Sequence, residues 1–221
     1  MDRGMKKVVV FDLDGTLTDT LASIKKSADL AVGKFGFGPF SEDQYRYFVG
    51  EGAAVLIERC LEAGGDAEHV YFDRAFEEYK KTFEEYCMYQ VKPYDGILPL
   101  LQELKKRGVK LAVLSNKPHL RTLDVIHDIF GDGTFDVVRG QQDGVPRKPS
   151  PVGVQLILEE LGLTPEDLLY IGDTGTDMQT GKAAGAFTVG ALWGFRTKEE
   201  LLANHADAVI ENPLRLLDYL A

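Results

Sequence analysis

Two aspartates one residue apart, Asp12 and Asp14 in KKVVVFDLDGTLTDT, stand at the end of an apolar run from Val8 to Phe11. Carboxylates that close repel each other unless a cation or a proton neutralises them. Asp and Gly also terminate strands with turn chemistry, which explains the pair equally well when it is taken alone. Other residues able to do chemistry follow: Ser115 and Asn116 in LSNK, Lys148 in PRKPSP, and Asp173 with Asp177 in IGDTGTD. Four carboxylates gathered in one pocket call for a hard cation with oxygen ligands, and Mg²⁺ has that preference. A phosphate would bridge to such a metal, with Ser115 supplying a hydrogen bond and Lys148 a fixed positive charge. Each piece has a plainer reading as well: a Ser or Asx turn, a solvated loop lysine, two helix caps.

The surrounding elements decide whether these pieces can meet. After the turn signal Pro93-Tyr94-Asp95-Gly96, helix-period and strand-like segments alternate. ILPLLQELKKRG reads as a helix and VKLAVLSN as a strand ending at Ser115. His119 to Phe130 is helical, FDVVRG a strand, and PVGVQLILEELG a helix. TPEDLLYIGD combines a helix start at Thr164-Pro165 with a strand ending at Asp173. Helix TDMQTGKAAGA, strand FTVGAL, helix KEELLANH, strand DAVIEN and helix PLRLLDYL follow. This alternation predicts an α/β fold, a Rossmann-like, mainly parallel sheet with helices on both faces. Sites in such sheets form beyond the carboxyl ends of the strands, where Asp12, Ser115 and Asp173 all lie.

Between Thr20 and Pro93 the alternation stops. Leu21 to Val32, Ser41 to Val49, Ala53 to Ala63 and Asp73 to Tyr86 read as helices, with Ser41 and Gln44 spaced as a capping box. The expectation is a helical cap over residues 18–91, inserted into a catalytic core of residues 1–17 and 92–221. Its two short connections predict closure over the pocket, excluding bulk water.

Composition bounds the partners. The chain has 221 residues and is 44% hydrophobic, enough for one large domain or a domain with a small companion. No stretch has the length of a membrane span, and the apolar run after Lys6 and Lys7 is too short for a signal peptide, so a soluble, cytoplasmic protein is expected with no membrane partner. Cys60 and Cys87 show neither disulfide nor zinc spacing. With 35 acidic against 25 basic residues, a formal charge of −10, nucleic acid is not an expected partner.

In order along the chain, FDLDGTLTDT, LSNK, Lys148 followed by Pro149, and IGDTGTD resemble the four motifs of the haloacid dehalogenase-like hydrolase superfamily. The helical insertion is similar to that superfamily's C1 cap. Within it FVGEGAAVLIERCL, Phe48 to Leu61, resembles the corresponding stretch of phosphoglycolate phosphatases. The resemblance implies a Mg²⁺-dependent phosphatase for a small phosphorylated metabolite, 2-phosphoglycolate, acting as a monomer or homodimer. It makes Asp12 the nucleophile and Asp14 the general acid and base, a role typically worth ~10²–10⁴ in rate. It implies that the Asp12 carboxylate, the Asp14 backbone carbonyl, Asp173 and Asp177 hold the metal, and that Ser115, Asn116 and Lys148 hold the transferring oxygens. Asp14 separates the chain from dehalogenases, and Thr16 stands where sugar phosphomutases commonly carry valine.

The GEGAAV stretch begins like a dinucleotide fingerprint, but Val55 occupies the third glycine's place and no βαβ unit surrounds it. Gly50 and Gly52 are instead expected to offer backbone N–H groups, and Arg59 a charge, to an anionic part of the substrate, with a bracing salt bridge as the other reading of Arg59. The four histidines are expected to be structural or solvent residues. Two alternatives stand beside the main reading: a sugar-phosphate phosphatase or phosphomutase, and a phosphorylatable receiver-like signalling module.

Overall fold

The structure, a computed structural model, describes residues 5–220. The chain forms two compact units, one of Met1–Thr18 with Pro93–Ala221 and one of Asp19–Lys92. Two-residue strands β2 (Thr18–Asp19) and β3 (Lys92–Pro93) lie where the chain passes from one unit to the other.

The unit of Asp19–Lys92 is helical: α1 (Leu21–Gly33), α2 (Glu42–Phe48), α3 (Ala53–Ala63) and α4 (Phe72–Tyr86). The Ser41 hydroxyl accepts the Gln44 N–H while the Gln44 side chain accepts the Ser41 N–H, the reciprocal capping box its spacing predicts. Inside, Asp29 accepts hydrogen bonds from the Tyr45 hydroxyl at 2.8 Å and the Phe40 N–H at 3.2 Å, and it pairs with Lys25. Burial, with Asp29 nearby, pushes the Cys60 thiol up to about 12, which makes it a packing residue rather than a reactive one.

The other unit is built on six parallel strands. β1 (Val8–Phe11), β4 (Lys110–Pro118), β5 (Val137–Gln141), β6 (Leu168–Gly172), β7 (Phe187–Ala191) and β8 (Ala208–Ile210) take the spatial order β5-β4-β1-β6-β7-β8. The crossovers carry α5 (Ile97–Lys106), α6 (His119–Phe130), α7 (Val152–Leu161), α8 (Gly175–Ala183) and α9 (Lys198–Ala203). Val8 to Phe11 are fully buried, as strands covered on both faces require. On one face Val8, Val10, Ala112, Leu114, Leu168 and Tyr170 pack with Val154, Ile157 and Leu158 of α7.

Three segments depart from the expected pattern. Beyond Thr164 there is only a short 3₁₀ turn, Pro165–Asp167, before β6, and the chain closes on a 3₁₀ segment, Pro213–Tyr219, opened by the Asn212 side chain accepting the Leu214 N–H at 2.9 Å. β4 does not stop at Ser115 but continues to Pro118. Its register against β5 shifts between Leu114 and Pro118, a bulge that hydrophobic alternation cannot reveal because all three residues in it are polar. Among the described residues no helix is long and apolar enough to cross a membrane.

Candidate active site

β1 lies between β4 and β6, with Phe11 in register with Val113 on one side and Ile171 on the other. The strand order reverses here: the chain runs from β1 through β4 to β5, then returns to β6 on β1's far side. This is the switch point at which carboxyl-end loops diverge and leave a crevice. Asp12 is the first residue beyond β1 and Asp173 the first beyond β6, while Ser115, Asn116 and Lys117 occupy the β4 bulge.

Asp12, Asp173 and Asp177 are all buried, and each offers a carboxylate oxygen within 4.8 Å of the others. The Lys148 ammonium lies between two of them, 2.8 Å from Asp12 and 2.7 Å from Asp177. Burial works against the Lys148 charge, but Asp12 and Asp177 outweigh it and hold the ammonium well above the ordinary lysine range. Burial, then the Asp177 charge, pushes the Asp12 carboxyl well up against the pull of Lys148. The Asp173 carboxyl is pushed up to about 7, first by burial and then by Asp177, against hydrogen bonds from the Phe195 N–H and the Thr16 hydroxyl. Three acids with one ammonium among them are thus short of positive charge.

Local contacts fix each acid. Asp12 Oδ1 accepts the Leu13 N–H at 2.7 Å as well as Lys148. Asp173 Oδ1 accepts the Thr16 hydroxyl at 2.7 Å and Oδ2 the Phe195 N–H at 2.9 Å. Asp177 also serves the capping box of α8: its Oδ2 accepts the Thr174 hydroxyl at 2.6 Å and the Thr174 N–H at 3.0 Å. The plain reading of Asp177 as a cap and the chemical one are therefore compatible. Gly15, at φ +91°, passes so close to Asp173 that an added Cβ would lie 2.3 Å from Oδ2, so a side chain there would displace that carboxylate.

Asp14 does not join the three-acid cluster through its side chain. Its carboxylate pairs instead with Lys117, whose Nζ is 3.0 and 3.4 Å from the two oxygens. Ser115 Oγ accepts the Lys117 N–H at 3.2 Å. The Asn116 side chain ties down the loop that carries Lys148, donating to the Lys148 carbonyl at 3.2 Å and accepting its N–H at 2.9 Å. By residue type Lys117, a lysine at a strand end, reads as a solvated charge, and nothing in the sequence marks it as part of the site. Thr16 is more than a marker against the phosphomutases: its hydroxyl orients Asp173, and its carbonyl accepts the Trp193 indole N–H at 2.9 Å.

The cap residues expected to meet substrate lie in the helical unit. Gly50 and Gly52 have φ of 116° and 96° in the turn before α3. Arg59 donates to the Tyr47 carbonyl at 3.0 Å and the Phe48 carbonyl at 3.2 Å, and pairs with Glu51. The structure thus gives Arg59 a bracing part within its own unit. Arg59→Ala is expected to lower stability by about 1–2 kcal/mol, the scale of charged hydrogen bonds discounted for partial exposure. Urea denaturation measures this, and an unchanged midpoint would dismiss the brace.

A divalent cation suits the donor set: three buried carboxylates with hard oxygen atoms, two of them pushed up by burial first and by the neighbouring Asp177 charge second. Asp12, Asp173 and Asp177 are the residues whose side chains are placed to share it.

Comparison with known proteins places this geometry in a family. Residues 9–191 match the haloacid dehalogenase-like hydrolase family. A phosphoglycolate phosphatase of Aquifex aeolicus is 35% identical over 189 residues, 86% of each chain. An N-acetylmuramic acid 6-phosphate phosphatase of Pseudomonas aeruginosa is 31% identical over 100% of this chain and 97% of its own length. Among solved structures, that of a predicted phosphoglycolate phosphatase from Haemophilus somnus 129PT aligns with a TM-score of 0.88 at 26% identity, covering 99% of this chain and 98% of the other. With the match running from β1 through β7 and including the carboxyl-end acids, the chain belongs to the haloacid dehalogenase-like hydrolase family.

Proposed function

We propose that the protein hydrolyses a small phosphomonoester through an aspartyl-phosphate on Asp12, with Mg²⁺ as cofactor, and that the substrate is 2-phosphoglycolate. The chain is a phosphatase, a phosphoric monoester hydrolase. The observation that carries the mechanism is the cluster itself: a buried carboxylate, Asp12, at the switch point, with Lys148 against it and two further acids beside it.

In this reading both described contacts of Asp12 fall on Oδ1, and Oδ2 attacks phosphorus in line. A P–O bond to Asp12 forms as the ester P–O bond breaks, and Asp14 gives its proton to the departing alkoxide. Asp14 then takes a proton from water as that water attacks the aspartyl-phosphate, releasing inorganic phosphate and the Asp12 carboxylate. Ser115, Asn116 and Lys148 hold the transferring oxygens. Asp12, Asp173 and Asp177, with the Asp14 carbonyl, would hold Mg²⁺, which when bound supplies positive charge between an anionic nucleophile and an anionic phosphate.

The choice of 2-phosphoglycolate is supported by relatives of that activity in Aquifex and in Vibrio vulnificus, the latter 31% identical over 96% of this chain. The Pseudomonas relative favours a second reading, a sugar 6-phosphate. A phosphate-release assay separates the two: 2-phosphoglycolate is expected to exceed hexose and amino-sugar 6-phosphates in kcat/KM, and the opposite ranking would replace the substrate while keeping the chemistry. Activity is expected to vanish with chelator and return with added Mg²⁺. Full turnover of p-nitrophenyl phosphate in metal-free buffer would overturn the metal assignment.

A further inference from the structure

We infer that Lys117 is a positioning residue for phosphoryl transfer: it holds the Asp14 carboxylate in the orientation from which the leaving group is protonated. The inference rests on Asp14 being the acid and base of the mechanism proposed above. Lys117 is a lysine in name only as regards solvent, its side chain being 2% exposed, while the Asp14 side chain is 18% exposed. Asp14 is thus the least buried acid of the site, next to 7% for Asp12 and 0% for Asp177. A short aspartate at that edge would sample several rotamers unless something held it, and proton transfer requires one. Lys117 meets the carboxyl unequally, Oδ1 at 3.0 Å and Oδ2 at 3.4 Å, which leaves Oδ2 as the oxygen that gives and takes the proton.

The backbone of Lys117 is itself clamped. It lies in the β4 bulge, its N–H donating to Ser115 Oγ at 3.2 Å and its carbonyl accepting the Thr122 hydroxyl at 3.2 Å. β5 closes on the same point: a Cβ added to Gly140 would lie 2.7 Å from the Lys117 carbonyl oxygen and 2.4 Å from Thr122 Oγ1. The bulge therefore links two functions. Ser115 and Asn116, on the phosphate side, and Lys117, on the leaving-group side, are set by one irregularity in one strand, so that the acid and the phosphate grip keep a common frame.

A structural brace and a positioning residue differ in their dependence on the leaving group. An alkoxide needs protonation as it departs; p-nitrophenolate does not. The experiment reads kcat/KM as the second-order rate of alcohol or phenol release in the first turnover, which Asp14→Asn completes before it stalls. It compares ethyl phosphate, phenyl phosphate and p-nitrophenyl phosphate in the wild type, Lys117→Met, Lys117→Arg and Asp14→Asn, with melting temperatures recorded for each. For Lys117→Met the ethyl ester is expected to lose about 10²-fold, the scale of a misplaced catalytic group, and the nitrophenyl ester roughly tenfold less, so that the plot of log kcat/KM against leaving-group pKa steepens as it does in Asp14→Asn. Lys117→Arg, which restores a cation, is expected to recover part of the slope. Should Lys117→Met fail to fold, Gly140→Ala shifts the Lys117 carbonyl while keeping the lysine, and a smaller steepening is expected. A steeper slope in Asp14→Asn alone, with all esters falling equally in the Lys117 variants, would overturn the inference. A slope unchanged in Asp14→Asn as well would overturn the acid role of Asp14 instead.

Discussion

Asp12→Asn is expected to abolish turnover, a loss of about 10⁴-fold or more in kcat on the scale of nucleophile deletions, while the protein remains folded. The substitution is isosteric. Its amide oxygen can still accept the Leu13 N–H that Asp12 accepts at 2.7 Å, and Lys148 keeps Asp177 at 2.7 Å as its counter-charge. One of three mutually repelling carboxylates is removed, so the cost to the fold is small or negative. What is lost is the anionic oxygen that attacks phosphorus. Asp14→Asn provides the contrast. That variant keeps the nucleophile, and with p-nitrophenyl phosphate, whose leaving group needs no proton, it is expected to form the aspartyl-phosphate and then stall for want of a base. Intact-protein mass spectrometry after rapid quench would show a phosphorylated protein accumulating in Asp14→Asn and absent from Asp12→Asn. Ordinary turnover by Asp12→Asn would remove it from the nucleophile's role.

The parts of this site visible in the sequence are those that depend on strand ends. A run such as Val8 to Phe11 has to be a buried strand, and the residue after it has to lie at the sheet's edge; the same holds for Asp173 after Leu168–Gly172. Parallel topology then brings those ends together whatever the loops do. The parts that were hidden depend on side-chain partners. Nothing in LSNK tells a solvated lysine from one that is 2% exposed against Asp14, because the β4 bulge that turns it inward leaves no trace in hydrophobic periodicity. Asn116 suits a Ser or Asx turn by type, yet its amide clamps the Lys148 backbone thirty-two residues on. Arg59 shows the same limit from the other direction: its charge suggested an anion, and its actual partners include two main-chain carbonyls, which residue type alone never announces.

Lys148→Met is expected to cost both stability and activity, in proportions that identify what the lysine does. Its side chain is 3% exposed and its ammonium touches Asp12 and Asp177. Methionine keeps the length and apolar stem but removes the ammonium that touches two of the three buried carboxylates. Breaking a buried ion pair in this way costs about 3–5 kcal/mol, because the surviving charge stays desolvated. The melting temperature of the metal-free variant should therefore drop well below that of the wild type. Adding Asp177→Asn to Lys148→Met removes one of the stranded charges and should recover a large part of the loss, a coupling that a double-mutant cycle reads directly. Added Mg²⁺ should stabilise Lys148→Met more than it stabilises the wild type, since a cation among the acids replaces what the ammonium supplied. Activity should follow neither recovery. Lys148 in the proposed mechanism also faces the transferring oxygens, and losing one such donor costs about 10²–10³ in kcat, which neither neutralising Asp177 nor saturating Mg²⁺ restores. A Lys148→Met protein as stable as the wild type without metal would mean that the ammonium's contacts with Asp12 and Asp177 contribute nothing to the fold. One whose activity returned with stability would confine the lysine to holding the acids together.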